Sequence, residues 1–399
     1  RGISVYTNTT PRGAQRGPGQ NEMAAVLAPM TDKIAAEVGM DRIAFRRLNA
    51  LRSDGFQGGS QGPVTSSFIA EALDQGRRAF DWDAREAQSR DLGGSKKRGL
   101  GIGIGYHGAG GRGYDGLLKM GTNGTLHIHS GVGNLGTYSY AANCRAAAEA
   151  MQIPWENCEI HRGRTDRHLP HSSGQGGSNT VFTHGRAMWV AAEDMIAKMK
   201  EIAAMDLGGS SDDYEIGGER VFQSSDPSQG LTYAQTAQRA IELGGKFDGQ
   251  EYPDDINPIT QLATQGLAGT GLVGVAKDKI PGQGQPPGNI VGFCEIELDT
   301  DTGKIEITDY AGIADCGTVV HPKNFDNSMR GGMVWGVGLT NLERHVYDPQ
   351  NGLPANTGLY QNKPPTNMDV PVDTIQQAVN IPDPQSPIGA RGIGEPTQG

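Results

Sequence analysis

The chain has 399 residues, with 35 Lys and Arg against 45 Asp and Glu and a formal charge of −10. That acidic balance, with a pI near 5.4, argues against nucleic acid or an anionic membrane as partner, since both reward a basic face. The length allows two or three domains with sizeable cores; no apolar run approaches the ~20 residues of a membrane span; and glycine, at 60 residues, is about twice as frequent as usual without collagen periodicity.

The sequence starts at Arg1 with neither Met nor a signal-like apolar stretch, which reads as the edge of a fragment or of a processed chain. Residues 25–50 carry apolar side chains at helical spacing, broken near Gly39 and restarted by Asp41 as a cap, and predict two packed helices. A polar, glycine-broken stretch at 54–62 precedes a helix over 66–80. The charged segment at 83–98 reads as a linker and marks the best domain boundary. From residue 100 the texture changes to strands, LGIGIGYHG, YDGLLKMG and TLHIHSG, with Asn123-Gly124 as the hairpin turn between the last two. Helices are predicted again at 141–151, 184–204 and 233–243. A Gly/Pro-rich loop at 281–289 precedes FCEIELDTDTGKIEITDYAGIAD, two strands around a tight turn. The expected class is α+β, mixed sheets with packed helices on one side.

Several motifs carry less than they promise. GIGYHG at 103–108 satisfies GxGxxG, but more glycine follows instead of a helix, and no acidic residue lies in register on a second strand. Asp299, Asp301 and Gly303 imitate the start of a calcium loop, yet the alternation on both sides predicts a hairpin with a glycine bulge. His127 and His129 share one face of a strand as a possible metal pair, but the sequence shows no third ligand. Cys144, Cys158, Cys294 and Cys316 are far apart with no CxxC pair, which argues against an iron–sulfur or structural zinc site built by this chain alone. Their usage fits a reducing compartment, the cytoplasm, with the periplasm as the alternative.

Near the end the chain reads GARGIGEPTQG, a glycine-rich turn that presents one carboxylate, Glu395, between Gly394 and Pro396. Glycines at 392 and 394 allow close backbone approach, proline fixes the exit, and a carboxylate so held suits proton abstraction near neutral pH. A solvated surface turn is the plain alternative for this loop taken alone. Gly177, Ser178, Asn179 and Thr180 precede a predicted helix, which is the chemistry of a phosphate cradle, with a simple helix cap as the alternative.

Taken together, several segments resemble the molybdenum-binding large subunit of the xanthine oxidase (molybdenum hydroxylase) family. TNTTPRGAQRGPGQ at 7–20 is similar to the loop beneath the molybdenum and is followed by a helix pair ending FRRLN. GVGNLGTYSYAANCRAAAEAM at 131–151 and GQGGSNTVFTHGRA at 174–187 are similar to the family's cofactor loops. CEIELDTDTGKIEI, ADCGTVVHP and RGGMVWGVG between 294 and 338 look like its long hairpin and closing segment, and GARGIGEP looks like the loop of its catalytic Glu. The resemblance implies residues 1–82 as the C-terminal portion of a first cofactor-binding domain and 99–399 as the second. It implies Glu395 as the general base. Cofactor contacts would come from Arg16, Gly17, Gly136, Thr137, Tyr138, Gly177, Ser178, Asn179, Thr180 and Gly394, and pocket walls from Pro18, Tyr106 and His107. It further implies molybdenum held by a molybdopterin dithiolene, with no side-chain ligand, the pterin in its cytosine dinucleotide form. Electrons would leave through 2Fe–2S clusters, and FAD, on partner subunits, and a second molybdenum-subunit piece or a missing N-terminal half would complete the site. The implied reaction is oxidation of an aldehyde or an aromatic N-heterocycle with water as oxygen source. The alternatives are a cofactor-carrying or assembly subunit without turnover, and a 4-hydroxybenzoyl-CoA reductase-like enzyme.

The match departs from the family in places. Gly136-Thr137-Tyr138 stands where the family reads Gly-Gln-Gly, leaving either the Tyr138 hydroxyl or a different contact to replace a lost amide; Ser328 stands for a common Gln, and His321-Pro322 for Asn-Pro. The loop up to Gln20 has no cysteine, unlike carbon monoxide dehydrogenase, and the family's upstream Gly-Gly-x-Phe-Gly segment is missing.

Overall fold

The computed structural model describes residues 3, 5–11, 13–57 and 62–398; Arg1, Arg12 and residues 58–61 of the polar stretch lie outside the described residues. The helices are α1 (Gln20–Glu37), α2 (Arg42–Asn49), α3 (Ile69–Ala79), α4 (Trp82–Ala87), α5 (Ser139–Ala150), α6 (Thr180–Leu207), α7 (Tyr233–Leu243), α8 (Pro258–Gln265) and α9 (Pro322–Val337). The strands are β1 (Phe56–Gln57), β2 (Gly62–Pro63), β3 (Asp91–Gly93), β4 (Lys96–Gly108), β5 (Asp115–Met120), β6 (Leu126–His129), β7 (Cys158–His161), β8 (Tyr214–Gly217), β9 (Arg220–Gln223), β10 (Asp226–Thr232), β11 (Leu272–Lys277), β12 (Pro287–Asp299), β13 (Ile305–Asp315) and β14 (Ile375–Ala378).

Two sheets carry the architecture. The larger runs β14-β13-β12-β4-β3 and the smaller β11-β5-β6-β7. Both are mixed, because β13–β14 and β6–β7 pair in parallel while their other ladders are antiparallel. Alternation along β12 sends Val291 and Phe293 to one face, where they pack with Leu73, Phe80 and Trp82 from α3 and its surroundings. Ile290 goes to the other face, against Met329 of α9 and Ile393. The larger sheet therefore has helices on both faces, rather than on one side as the sequence pattern predicts. Gly76 permits the closest part of this packing, since a Cβ there would strike the Phe293 ring. The smaller sheet packs Leu118, Met120, Leu126 and Ile128 against α5, α6 and α7.

Local chemistry explains most element boundaries. The Asp41 side chain accepts from Ile43 N and Ala44 N and starts α2. The turn at 123–124 closes with Gly124 in the left-handed region and joins β5 to β6. Gly303 does the same in the β12–β13 hairpin, so the calcium-like run is a turn. The charged segment at 83–98 holds most of α4, the edge strand β3 and the start of β4, so it is structured; the division of the chain there stays a proposal.

A buried ionic knot ties these layers together. Arg391 is 3 % exposed, and Asp315 and Asp383 are each 1 % exposed. The Arg391 guanidinium donates to Asp315 Oδ1, to Ser66 O at 3.1 Å and to Pro287 O at 2.6 Å, and its Nε lies 3.3 Å from Asp383 Oδ2. Asp315 also accepts from Phe68 N at 2.8 Å and Asn289 Nδ2 at 3.2 Å, while Asp383 accepts from Ser66 Oγ at 2.6 Å and Gln385 N at 2.9 Å. Two buried carboxylates thus depend on one cation. Arg391→Met strands both, and removal of one partner from a buried pair costs about 3–5 kcal/mol. Urea denaturation of the variant should show a loss of that size; a loss below about 1 kcal/mol would show that the knot does not hold the layers.

Candidate active site

A cavity of about 680 Å³ opens where the two sheets meet their loops, within the usual size of a ligand site. Five chain segments wall it: the entry to α1, the loop before α5, the loop before α6, the segment leading into α9, and the loop at 390–395. Arg16, Pro18, His107, Thr137, Gly177, Ser178, Asn179, Thr180, Gly394 and Glu395 all lie on its wall. Gly17 sits behind it, where a Cβ would meet the Glu395 carbonyl at 3.0 Å. Gly136 is exposed in the loop before α5. Tyr106 precedes His107 on β4, half-buried and off the cavity wall. Tyr138 is also off the wall, with a left-handed backbone, 49 % exposure and its ring against Tyr140.

The Glu395 carboxylate is fixed from two sides. Ser178 Oγ donates to Glu395 Oε2 and accepts from Glu395 N at 2.8 Å. This reciprocal pair joins the cradle loop to the carboxylate loop, across 217 residues of sequence. It requires Gly392, because a Cβ there would collide with the Ser178 carbonyl. Ser178 itself adopts a left-handed backbone with φ 53°, a conformation costly for a residue with a Cβ and characteristic of ligand sites. From the other side, Arg16 Nε donates to Gly394 O, its Nη2 reaches Ser328 O at 3.4 Å, and its guanidinium lies over the Trp335 ring at 5.8 Å. Burial lowers the Arg16 guanidinium from its usual value, and the Glu395 charge opposes that shift.

The adjoining wall suits an anion. Residues of the first turns of α5 and α6 line the cavity, and neither helix has a side chain accepting from its first turn. Two uncapped helix N-termini on one cavity present free N–H groups and two positive dipole ends, the arrangement that binds phosphate. Gly177 and Ser178, both with positive φ, turn the chain into α6. These residues fit a pterin with a phosphate tail: glycine backbone for close approach, helix termini for the charge.

Other wall residues were not singled out in the sequence. Gln175 is one: its Nε2 donates to Thr137 Oγ1 at 3.0 Å and its Oε1 accepts from Leu135 N at 2.8 Å. An amide absent at 137 is thus supplied from the neighbouring loop, and the only sequence signal was its place inside GQGGS. Cys316, Asn324, Phe325 and Trp335 also line the cavity, as do His321 and Ser328, the two departures noted in the sequence. His321 Nδ1 caps α9 by accepting from Asn324 N at 3.3 Å.

A model of the molybdopterin cofactor-binding domain matches residues 75–371, and a second of the same description matches residues 1–50. The chain belongs to the molybdopterin cofactor-binding family. It is 25 % identical to the xanthine dehydrogenase molybdenum-binding subunit of Escherichia coli over 98 % of its own length and 50 % of that protein. It is 24 % identical to the aldehyde oxidoreductase molybdenum-binding subunit of the same species, over 99 % of its own length and 49 % of that protein. Among solved structures, quinoline 2-oxidoreductase of Pseudomonas putida matches with TM-score 0.76 at 21 % identity, covering 97 % of this chain and 48 % of that one. The chain therefore spans about half the length of the curated relatives it matches.

The cradle is open to a direct test. Ser178→Asp places a second negative charge beside Glu395 at the entry to α6 and reverses the interaction that favours anions there, a change of about 1–2 kcal/mol or on the order of tenfold in affinity. The purified variant should carry correspondingly less pterin by fluorescence after acid oxidation. Full pterin occupancy would show that the loop only caps a helix.

Proposed function

We propose that this chain forms the base-bearing half of a molybdenum hydroxylase site, oxidising an aldehyde or an aromatic N-heterocycle with water as oxygen source. The observation that carries the proposal is the Glu395 carboxylate, gripped by Ser178 on the wall of a cavity that is also lined by two helix N-termini. The names of the relatives support the substrate classes, being an aldehyde oxidoreductase subunit and a quinoline oxidoreductase.

Gly177, Ser178, Asn179, Thr180, Thr137 and Gln175 would hold the pterin and its phosphates, in the cytosine dinucleotide form, and Arg16 and Gly394 would frame the metal end. When bound there, molybdenum on its pterin dithiolene would supply oxygen transfer from water and would accept two electrons. Glu395 takes the proton released as water is activated, at its Oε atoms. Ser178 orients that carboxylate through one hydrogen bond and fixes its backbone through the other. Arg16, pinned on Gly394 O, keeps the loop from swinging. Pro18 and His107 line the approach to this end of the cavity, and we assign them to the substrate wall. A cofactor carrier without turnover would have no use for a strained serine holding a carboxylate over the cavity, which favours the enzyme reading.

One helix face points to a partner surface. Met23, Val26, Leu27, Met30, Ile34 and Val38 recur on one stripe of α1 and its end, each 44–57 % exposed. An apolar stripe on an amphipathic helix is normally covered. We propose that the remaining half of the molybdenum subunit covers it, with 2Fe–2S and FAD partners receiving the electrons. Among the described residues no helix is long and apolar enough to cross a membrane; we place the complex in the cytoplasm on the strength of four unpaired cysteines.

The two parts of the proposal have separate tests. Glu395→Gln keeps size and hydrogen bonding but removes basicity, so turnover with an artificial electron acceptor should fall by about two to four orders of magnitude at unchanged molybdenum content. Near wild-type rates would remove Glu395 from the reaction. Co-expression with the other half should give a stable complex burying at least ~2,000 Å²; a monodisperse, fully active lone chain would contradict a shared site.

A further inference from the structure

The outer face of the smaller sheet carries a second cluster of chemically capable residues, on β6 and its parallel neighbour β7. The ladder pairs His127 with Glu159 and His129 with His161. Its twist brings His127 Nδ1 within 2.9 Å of His161 Nε2, and Glu159 closes the triangle, with Oε2 3.4 Å from His127 and Oε1 3.6 Å from His161. The sequence pattern pointed to His127 with His129; instead His129 turns away, its Nδ1 meeting Arg167 O at 3.0 Å and its ring stacking on His161 at 4.6 Å.

We propose that His127, His161 and Glu159 form a binding site for one divalent transition-metal ion of the zinc class, independent of the molybdenum pocket. Donor type and spacing both carry this. Two imidazole nitrogens and a carboxylate are ligands of a borderline cation, and bonds of about 2.0–2.2 Å at tetrahedral angles place ligand atoms roughly 3.3–3.5 Å apart. The two imidazole nitrogens lie 2.9 Å apart and each has a Glu159 oxygen at 3.4 or 3.6 Å, while one ligand atom from each residue falls within 4.8 Å of the others, so rotation of the exposed Glu159 side chain completes the set. In the metal-free pair one of the two nitrogens must carry a proton, and an ion takes the place of that proton.

The surroundings are built accordingly. The His127 and His161 side chains are 15 % and 14 % exposed and held by strands, whereas Glu159 is 58 % exposed and leaves an entry path and a water-accessible fourth position. His129, stacked behind His161, fixes the plane of that ring. Lys119 lies opposite His127 across the β5–β6 ladder and shares the field of Glu159, so the ion competes with one ammonium. The ion would clamp β7, the edge strand, to β6, whose next residues run into the loop carrying Thr137.

The test uses the full chain in its assembled complex, stripped with chelator and titrated with Zn2+ by calorimetry and with Co2+ by visible absorption. One saturable equivalent is expected, with the intense d–d bands of a four- or five-coordinate Co2+ and a raised thermal midpoint. Glu159→Gln, at an exposed position that does not threaten folding, should weaken Zn2+ binding at least tenfold, and His161→Ala should abolish it, with molybdenum content unchanged in both. No saturable uptake by the wild-type protein would overturn the proposal. So would Zn2+ uptake that Glu159→Gln leaves unaltered, which would place the ion elsewhere.

Discussion

The candidate site depends on Arg391 and its two buried carboxylates. Asp315 ends β13, Asp383 lies between β14 and the carboxylate loop, and Ser66 and Phe68 lead into α3. One guanidinium therefore fixes the relative positions of a strand end, a helix entry and the loop that delivers Glu395 four residues later. A buried ion pair of this kind adds little net stability compared with apolar packing, because desolvation offsets the attraction. What it provides is a single geometry, since a fork of five donors with several placed acceptors has few ways to be satisfied. A second such pair, Arg186 of α6 with Asp278, both fully buried, also reaches Gln385 O and Ile280 O. The helix whose first turn lines the cavity and the segment that leads to Glu395 are thus held by two charged anchors meeting around residues 383–391.

With the anchors in place, the chemistry follows from close backbone approach. Gly392 lets the carboxylate loop pass against Ser178, and Ser178 accepts a left-handed backbone to meet it. Both features destabilise an isolated loop, glycine through chain entropy and serine through strain. They persist because the surrounding contacts over-determine them, as at a site shaped for a ligand. The histidines elsewhere follow a different logic. Burial pushes His127 down to about 4, His129 to about 3 and His184 to about 4. They are neutral near pH 7.

Much of this was legible in the sequence, for identifiable reasons. The helices after Asp41 and before Gly244, and the hairpins at 123–124 and 299–304, carry cap and turn residues whose effect is local. The carboxylate of Glu395 announced itself through flanking glycines and proline. Long-range contacts were not legible. Nothing at Ser178 tells of a partner 217 residues away, nothing at Gln175 tells that it reaches Thr137, and Arg391 looks like any loop arginine until its acceptors are assembled. Helix α9 was hidden because its glycines and methionines mask the periodicity, and the short α8 was not predicted. Tyr138 was read as a cavity contact from its position in a motif, whereas the left-handed turn at that residue carries its ring to the surface.

The central claim is that a bound molybdenum sits beside the Glu395 carboxylate, framed by Ser178 and Arg16. Anomalous diffraction at the molybdenum edge, on crystals of the assembled and cofactor-loaded protein, tests it most directly. The account predicts one strong peak inside the cavity, facing Glu395 with no side chain between them and with pterin density running toward the first turns of α5 and α6. A peak outside this cavity, or one with Glu395 turned away from it, would contradict the account.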